Sequence, residues 1–264
     1  MKKYCLVIGS IVLANTLLSG CSEKILNAKI NPDQEVQTPP SEPSPVTPPK
    51  ETTPEEPPAK GNNSDSIQVV SKPASIPVLV NKQNKLPDSY TPSDLVYTDI
   101  PFISSATKEK RKMRHVAAAA VNQLFADAKV QGISLLGVSG YRSHATQTSL
   151  FNSYVSRDGY EKAITYSALP GTSEHETGLA IDVTGGSGKC AAEDCFGGTP
   201  EALWLDEHAA EYGFIIRYPK GKESITGYQY EPWHLRYVGK EIALEIMNAG
   251  ITLEEYFNEV PVNN

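Results

Sequence analysis

Residues 171–184 read GTSEHETGLAIDVT, and the architecture follows from how this stretch folds. Its second half, GLAIDVT (178–184), is a short apolar run with the length and composition of a buried strand. Gly171 and Gly178 bracket His175 and suit a loop that feeds the strand. Asp182 lies inside the strand, seven residues after His175. A histidine at the strand mouth and an acid within the strand can converge on one point.

Further strands lie on either side of it. ISLLGVSGYR (133–142) is a short apolar run that follows Gly132, and GFIIRYP (213–219) reads as another strand. YEPWHLRYV (230–238) is extended, although Pro232 argues for an edge position or a bend. Helices fill the intervals. Met113, Val116, Ala117, Ala120, Leu124 and Ala128 recur at helical spacing and predict a helix over about 107–129. Residues 147–156 place Leu150, Phe151, Tyr154 and Val155 on one helical face. Thr199-Pro200-Glu201 supplies an N-cap and a first-turn proline, and Gly213 a stop. Two short helices close the chain, the second with a Thr252/Glu255 capping box. Helices and strands mix without strict βαβ alternation. The expected class is α+β: one compact domain over 78–264, with a small, mostly antiparallel sheet flanked by helices.

Before this domain the chain changes character. Lys2-Lys3 followed by an apolar run from Tyr4 to Leu18 reads as a secretory signal over 1–20, too short for a membrane span. It ends in Leu18-Ser19-Gly20-Cys21, similar to a bacterial lipobox, which implies cleavage before Cys21 and lipidation of its thiol. Residues 21–77 are rich in proline, notably PPSEPSPVTPPKETTPEEPPAK (39–60). That composition predicts a semi-stiff, disordered tether rather than a packed core. The expected location is therefore outside the cytoplasm, anchored to the membrane by lipid.

The full chain carries 24 basic and 31 acidic residues, a net charge of −7. Loss of Lys2 and Lys3 with the signal brings this to −9. Such a balance argues against nucleic-acid binding, which depends on phosphate neutralisation. No obligate protein partner is evident. Of the four cysteines, Cys190 and Cys195 remain in the domain and read as a small-loop disulfide rather than a metal site.

Chemistry gathers at two histidines. His175 has Asp182 downstream, and His234 lies in EPWHLRY with Glu231 three residues before it. Two imidazoles and a carboxylate suit Zn²⁺ with an open position for water. Glu231 is the candidate to move protons. Arg142, at a strand end after Gly140-Tyr141, is the candidate to neutralise an oxyanion. Taken singly, each residue has a plainer reading: a polar loop histidine, a turn acid, a surface glutamate. His115, His144 and His208 read as surface or packing residues, and Trp233 and Tyr237 as packing beside the site. No Gly-x-Ser-x-Gly elbow is present.

At these residues the chain resembles the D-alanyl-D-alanine carboxypeptidase family that includes the VanY enzymes and the L,D-carboxypeptidases of the LdcB type. The likeness runs in order through VLVNKQNKLPDSYTPSDLV (78–96), GYRSHATQTSLFNSYV (140–155), YSALPGTSEHETGLAIDV (166–183) and GFIIRYPKGKESITGYQYEPWHLRYVG (213–239). It implies one Zn²⁺ held by His175, Asp182 and His234, with Glu231 as catalytic base and acid. It further implies Arg142 as holder of a substrate carboxylate or oxyanion, and Gln147 and Ser173 as lesser substrate contacts. The implied reaction is release of a C-terminal D-alanine from peptidoglycan stem peptides. D,D-carboxypeptidase action is favoured, and L,D action on tetrapeptide stems is the alternative. A catalytically silent, wall-binding lipoprotein is the rival from another class.

Overall fold

The computed structural model describes residues 67–260. The expected signal segment 1–20, Cys21 and the tether up to residue 66 lie outside the described residues. The elements begin with strands β1 (Gln68–Val69), β2 (Asn84–Lys85), β3 (Leu95–Tyr97) and β4 (Lys112–Arg114). Helix α1 (His115–Val130), strand β5 (Leu135–Ser139) and helices α2 (His144–Asp158) and α3 (Tyr160–Tyr166) follow. Then come β6 (Ala180–Gly185), α4 (Pro200–His208), β7 (Phe214–Tyr218), α5 (Glu223–Thr226), β8 (Glu231–Tyr237), α6 (Lys240–Ala249) and α7 (Leu253–Tyr256).

The central sheet has the order β5-β6-β8-β7, with every neighbouring pair antiparallel. Strand β6, the run singled out above, is buried along its whole length. Ile181 and Val183 of β6 pack with Leu235 of β8 and with Ala117, Val121, Leu124 and Ala128 of α1. Full burial of each such aliphatic side chain is worth roughly 1.5–3 kcal/mol, enough for this seam to hold the helix on the sheet. The caps lie where expected. Thr199 Oγ1 accepts from the Ala202 N–H, and Thr252 and Glu255 form a reciprocal capping box.

Three expectations change. The helix expected over about 107–129 begins only at His115, because residues 112–114 pair with β3 as a strand. The cause is non-local. The Lys110 carbonyl accepts from the Gly140 N–H and the Lys112 carbonyl from the Tyr141 N–H, so neither serves an α-helix. Strand β8 is an inner strand, not an edge. Pro232 is tolerated because pairing with β6 stops at His234, while the register with β7 shifts between Ile216 and Tyr218. Ordered pairing also starts ahead of Val78: β1 pairs with β2, and the Ile76 carbonyl accepts from the Arg236 guanidinium.

Candidate metal centre and catalytic cleft

Asp182 and His234 are direct cross-strand partners on β6 and β8. Side chains opposite each other in an antiparallel pair share a face, so this pairing alone brings them together. His175 arrives from the loop before β6, on a short 3₁₀ turn, Glu174–Thr177, that ends at Gly178 with φ +68°. A Cβ at Gly178 would lie 2.9 Å from Leu95 Cδ2, so glycine satisfies both the left-handed backbone and the close approach. Gly140 is required by close approach alone: a Cβ there would stand 2.6 Å from the Lys112 carbonyl oxygen.

The side chains of His175, Asp182 and His234 are 7 %, 9 % and 5 % exposed. One potential ligand atom from each lies within 4.8 Å of the others. The Asp182 carboxylate faces both rings, with Oδ2 3.3 Å from His175 Nε2 and Oδ1 3.0 Å from His234 Nδ1. The outer ring nitrogens are engaged elsewhere. His175 Nδ1 is 2.7 Å from the Gly140 carbonyl oxygen, and His234 Nε2 is 3.2 Å from Glu174 Oε2. Each ring thus turns one nitrogen inward and has the other fixed by an acceptor, the usual arrangement around a bound cation.

The charges fit a cation as well. Asp182, Glu174 and Glu254 are buried carboxylates, and among the described residues Arg217 and Arg236 are the buried guanidiniums, so with neutral imidazoles the cluster carries a negative excess. Burial disfavours charge on the His234 ring, yet its hydrogen bonds to Asp182 and Glu174 prevail and lift its pKa to about 10. Two imidazoles and one carboxylate match the donor set of a catalytic zinc. The other group of potential ligands among the described residues is Cys190, Glu193 and Cys195. There the two sulfurs are joined to each other, with Cα atoms 5.5 Å apart, as the sequence suggests.

Glu231 stands at the first residue of β8, with Oε2 3.7 Å from His234 Nδ1 and its side chain 21 % exposed. Burial pushes its carboxyl up, Asp182 and Glu174 add to that, and His234 and Arg142 pull against it; the balance is about 7. A carboxyl poised there can both take and return a proton near neutral pH. Arg142 lines the same cleft of about 350 Å³ as His175, Asp182, Glu231, Ser173 and Trp233. Its Nη1 donates to Gln147 Oε1 at 2.8 Å.

Gln147 is fully buried, and its Nε2 donates to the Ala168 carbonyl at 2.7 Å. It therefore holds Arg142 from behind, tying it to the backbone at Ala168. Trp233 lines the cleft, whereas Tyr237 packs on Phe214 with ring centroids 5.3 Å apart. His144 is more than a surface residue: its Nδ1 is 2.9 Å from Glu176 Oε2. His208 bonds Glu211 and His115 is exposed at the start of α1, both away from the chemistry.

Sequence reasoning passed over the base of the site. Glu174, Arg217, Arg236 and Glu254 form a dry network directly beneath His234. The available signal was an arginine inside each of two apolar strands, GFIIRYP and WHLRYV. A charge in such a run must be paired within the fold.

Comparison with known proteins gives the following. A family model described as VanY, D-alanyl-D-alanine carboxypeptidase, matches residues 110–240. A putative carboxypeptidase, YodJ, of Bacillus subtilis (strain 168) is 47% identical over 196 residues, covering 74% of this chain and 72% of its own. The structure of the LdcB LD-carboxypeptidase superposes with a TM-score of 0.71 at 47% identity, covering 74% of this chain and 92% of that one. A Zn(II) complex of a variant of the vancomycin resistance D,D-pentapeptidase VanY superposes with a TM-score of 0.56 at 33% identity, covering 69% and 99%.

Proposed function

This chain belongs to the VanY family of D-alanyl-D-alanine carboxypeptidases, and from that premise we propose that it binds one zinc ion and releases the C-terminal D-alanine of peptidoglycan stem peptides. The observation that carries the reading is the meeting of His175, Asp182 and His234 at one buried point with Glu231 facing it. Zinc held by these three ligands supplies Lewis acidity and lowers the pKa of bound water.

The chain's own groups do the rest. Glu231 takes a proton from the water that attacks the scissile carbonyl, and passes it to the departing amine as the C–N bond breaks. Arg142, held by Gln147, receives the free carboxylate of the substrate or the oxyanion, and a carboxylate requirement makes the enzyme an exopeptidase. Ser173, buried at the cleft wall, is a lesser contact. Greater likeness to the LD-carboxypeptidase structure than to the D,D-pentapeptidase favours L,D action on tetrapeptide stems over the D,D action favoured from sequence. The lipobox-like end of the signal supports attachment through Cys21 outside the cytoplasm, with the proline-rich segment as tether.

The test is mass spectrometry of pentapeptide and tetrapeptide stems after incubation with the purified chain, with and without chelator. Chelator-sensitive loss of D-alanine from the tetrapeptide is expected. Loss from the pentapeptide alone would restore the D,D reading. Peptide binding without any release would favour the silent wall-binding protein.

A further inference from the structure

One acid in the site is assigned no role by the reaction. Glu174 precedes the ligand His175 in sequence, yet its carboxylate points at the other histidine, His234, with Oε2 3.2 Å from Nε2. Its second oxygen, Oε1, accepts from Arg217 Nε at 2.7 Å and from Arg236 Nη1 at 2.7 Å. Arg217 in turn forms a two-pronged pair with Glu254, through Nη1 at 2.9 Å and Nη2 at 2.6 Å. Glu174, Glu254 and both arginines are buried, the arginines completely. Glu254 belongs to α7, which follows β8 after α6 and carries none of the three candidate ligands.

A carboxylate gripped by two buried guanidiniums has little freedom to move. An acceptor fixed in this way fixes the proton on His234 Nε2, and that leaves Nδ1 as the nitrogen turned to Asp182. We propose that Glu174 is a positioning residue for the metal site, selecting the tautomer and orientation of His234, and that the Arg217–Glu254 pair anchors it to the C-terminal helix. The inference rests on the zinc-centre reading above. It makes α7, which touches no ligand, part of the scaffold that sets metal affinity. Outer acceptors of this kind typically change metal affinity by about 10- to 100-fold when removed.

The experiment uses the detergent-purified full chain. Zinc affinity is measured by competition with a chromophoric chelator, and the visible spectrum of the cobalt-substituted protein is recorded for wild type, Glu174→Gln and Glu254→Gln. Expected are a zinc Kd weakened about 10- to 100-fold and a shifted cobalt spectrum in Glu174→Gln. Glu254→Gln should show a smaller weakening of the same sign. A merely structural role would lower the melting temperature of the metal-free protein and leave both readouts of the folded protein unchanged; that result overturns the inference. Should Glu174→Gln not fold, histidine-selective ¹⁵N spectra of the zinc-loaded wild type decide. A slowly exchanging Nε2–H on His234 supports the role, and its absence overturns it. Failure of the wild type itself to bind zinc is a different outcome, and would remove the metal-centre reading instead.

Discussion

Two glutamates flank His234, and their surroundings give them opposite characters. Glu174 lies on the dry side. Burial alone would keep it protonated, but Arg217 and Arg236 more than compensate and hold its carboxyl far below the ordinary range. Glu231 lies on the cleft side. It has no guanidinium within bonding distance among the described residues, and burial raises it to about 7. The same side chain, 3.2 Å from the imidazole in one place and 3.7 Å in the other, is a fixed charged acceptor in the first and a carboxyl poised near neutrality in the second. Burial sets the cost of charge in both, and the presence or absence of a buried cation decides the outcome.

Substitutions should separate the two sides. The largest effect on turnover is expected from Glu231→Gln: a fall in kcat of about 10²- to 10⁴-fold, with zinc still bound by elemental analysis. Full activity in that variant would erase the distinction between the two glutamates. On the dry side the largest effect should be on stability. Glu254→Ala strips Arg217 of its two-pronged partner, and truncating one member of a buried pair costs about 3–5 kcal/mol. The denaturant midpoint of the metal-free protein measures this. An unchanged midpoint would show that the network bears no weight.

A smaller effect is expected behind the cleft wall, where Gln147→Ala releases Arg142. The loss of one hydrogen bond to a charged group, about 1.5–3 kcal/mol, should raise KM for stem peptide more than it lowers kcat. The smallest effect concerns acid stability. Burial pushes the Glu109 carboxyl up, but hydrogen bonds from Ser143 and Thr146 outweigh it and the net shift is downward. A folded-state pKa below the unfolded value stabilises the fold above the unfolded pKa, about 4.3, and that contribution disappears as pH falls through the folded value. Glu109→Gln should therefore lose about 1 kcal/mol at neutral pH and show a shallower decline toward acid. Parallel acid limbs for variant and wild type would contradict this.

The contrast between the two sides also explains what the sequence discloses. His175, Asp182, His234 and Glu231 stand in two short segments whose strands become neighbours, so their chemistry is legible from local pattern. The helix caps at Thr199 and Thr252 are legible for the same reason, since the bonds that make them span three residues. The base of the site is not. Glu174 meets Arg217 and Arg236 across 43 and 62 residues, and Arg217 meets Glu254 across 37. Nothing periodic marks such partners; only the arginines' place inside apolar strands hints that partners exist. The misread start of α1 has a similar cause, because carbonyls of residues 110 and 112 are claimed by Gly140 and Tyr141 from a distant loop.

Metal analysis of the chain reaches the heart of this. The detergent-purified protein and an Asp182→Ala variant are dialysed against trace zinc, and metal content per chain is measured together with D-alanine release. One zinc per wild-type chain is expected, with both metal and release lost in the variant. A variant that keeps its zinc, or a wild type that releases D-alanine without any metal, would contradict the assignment of the site.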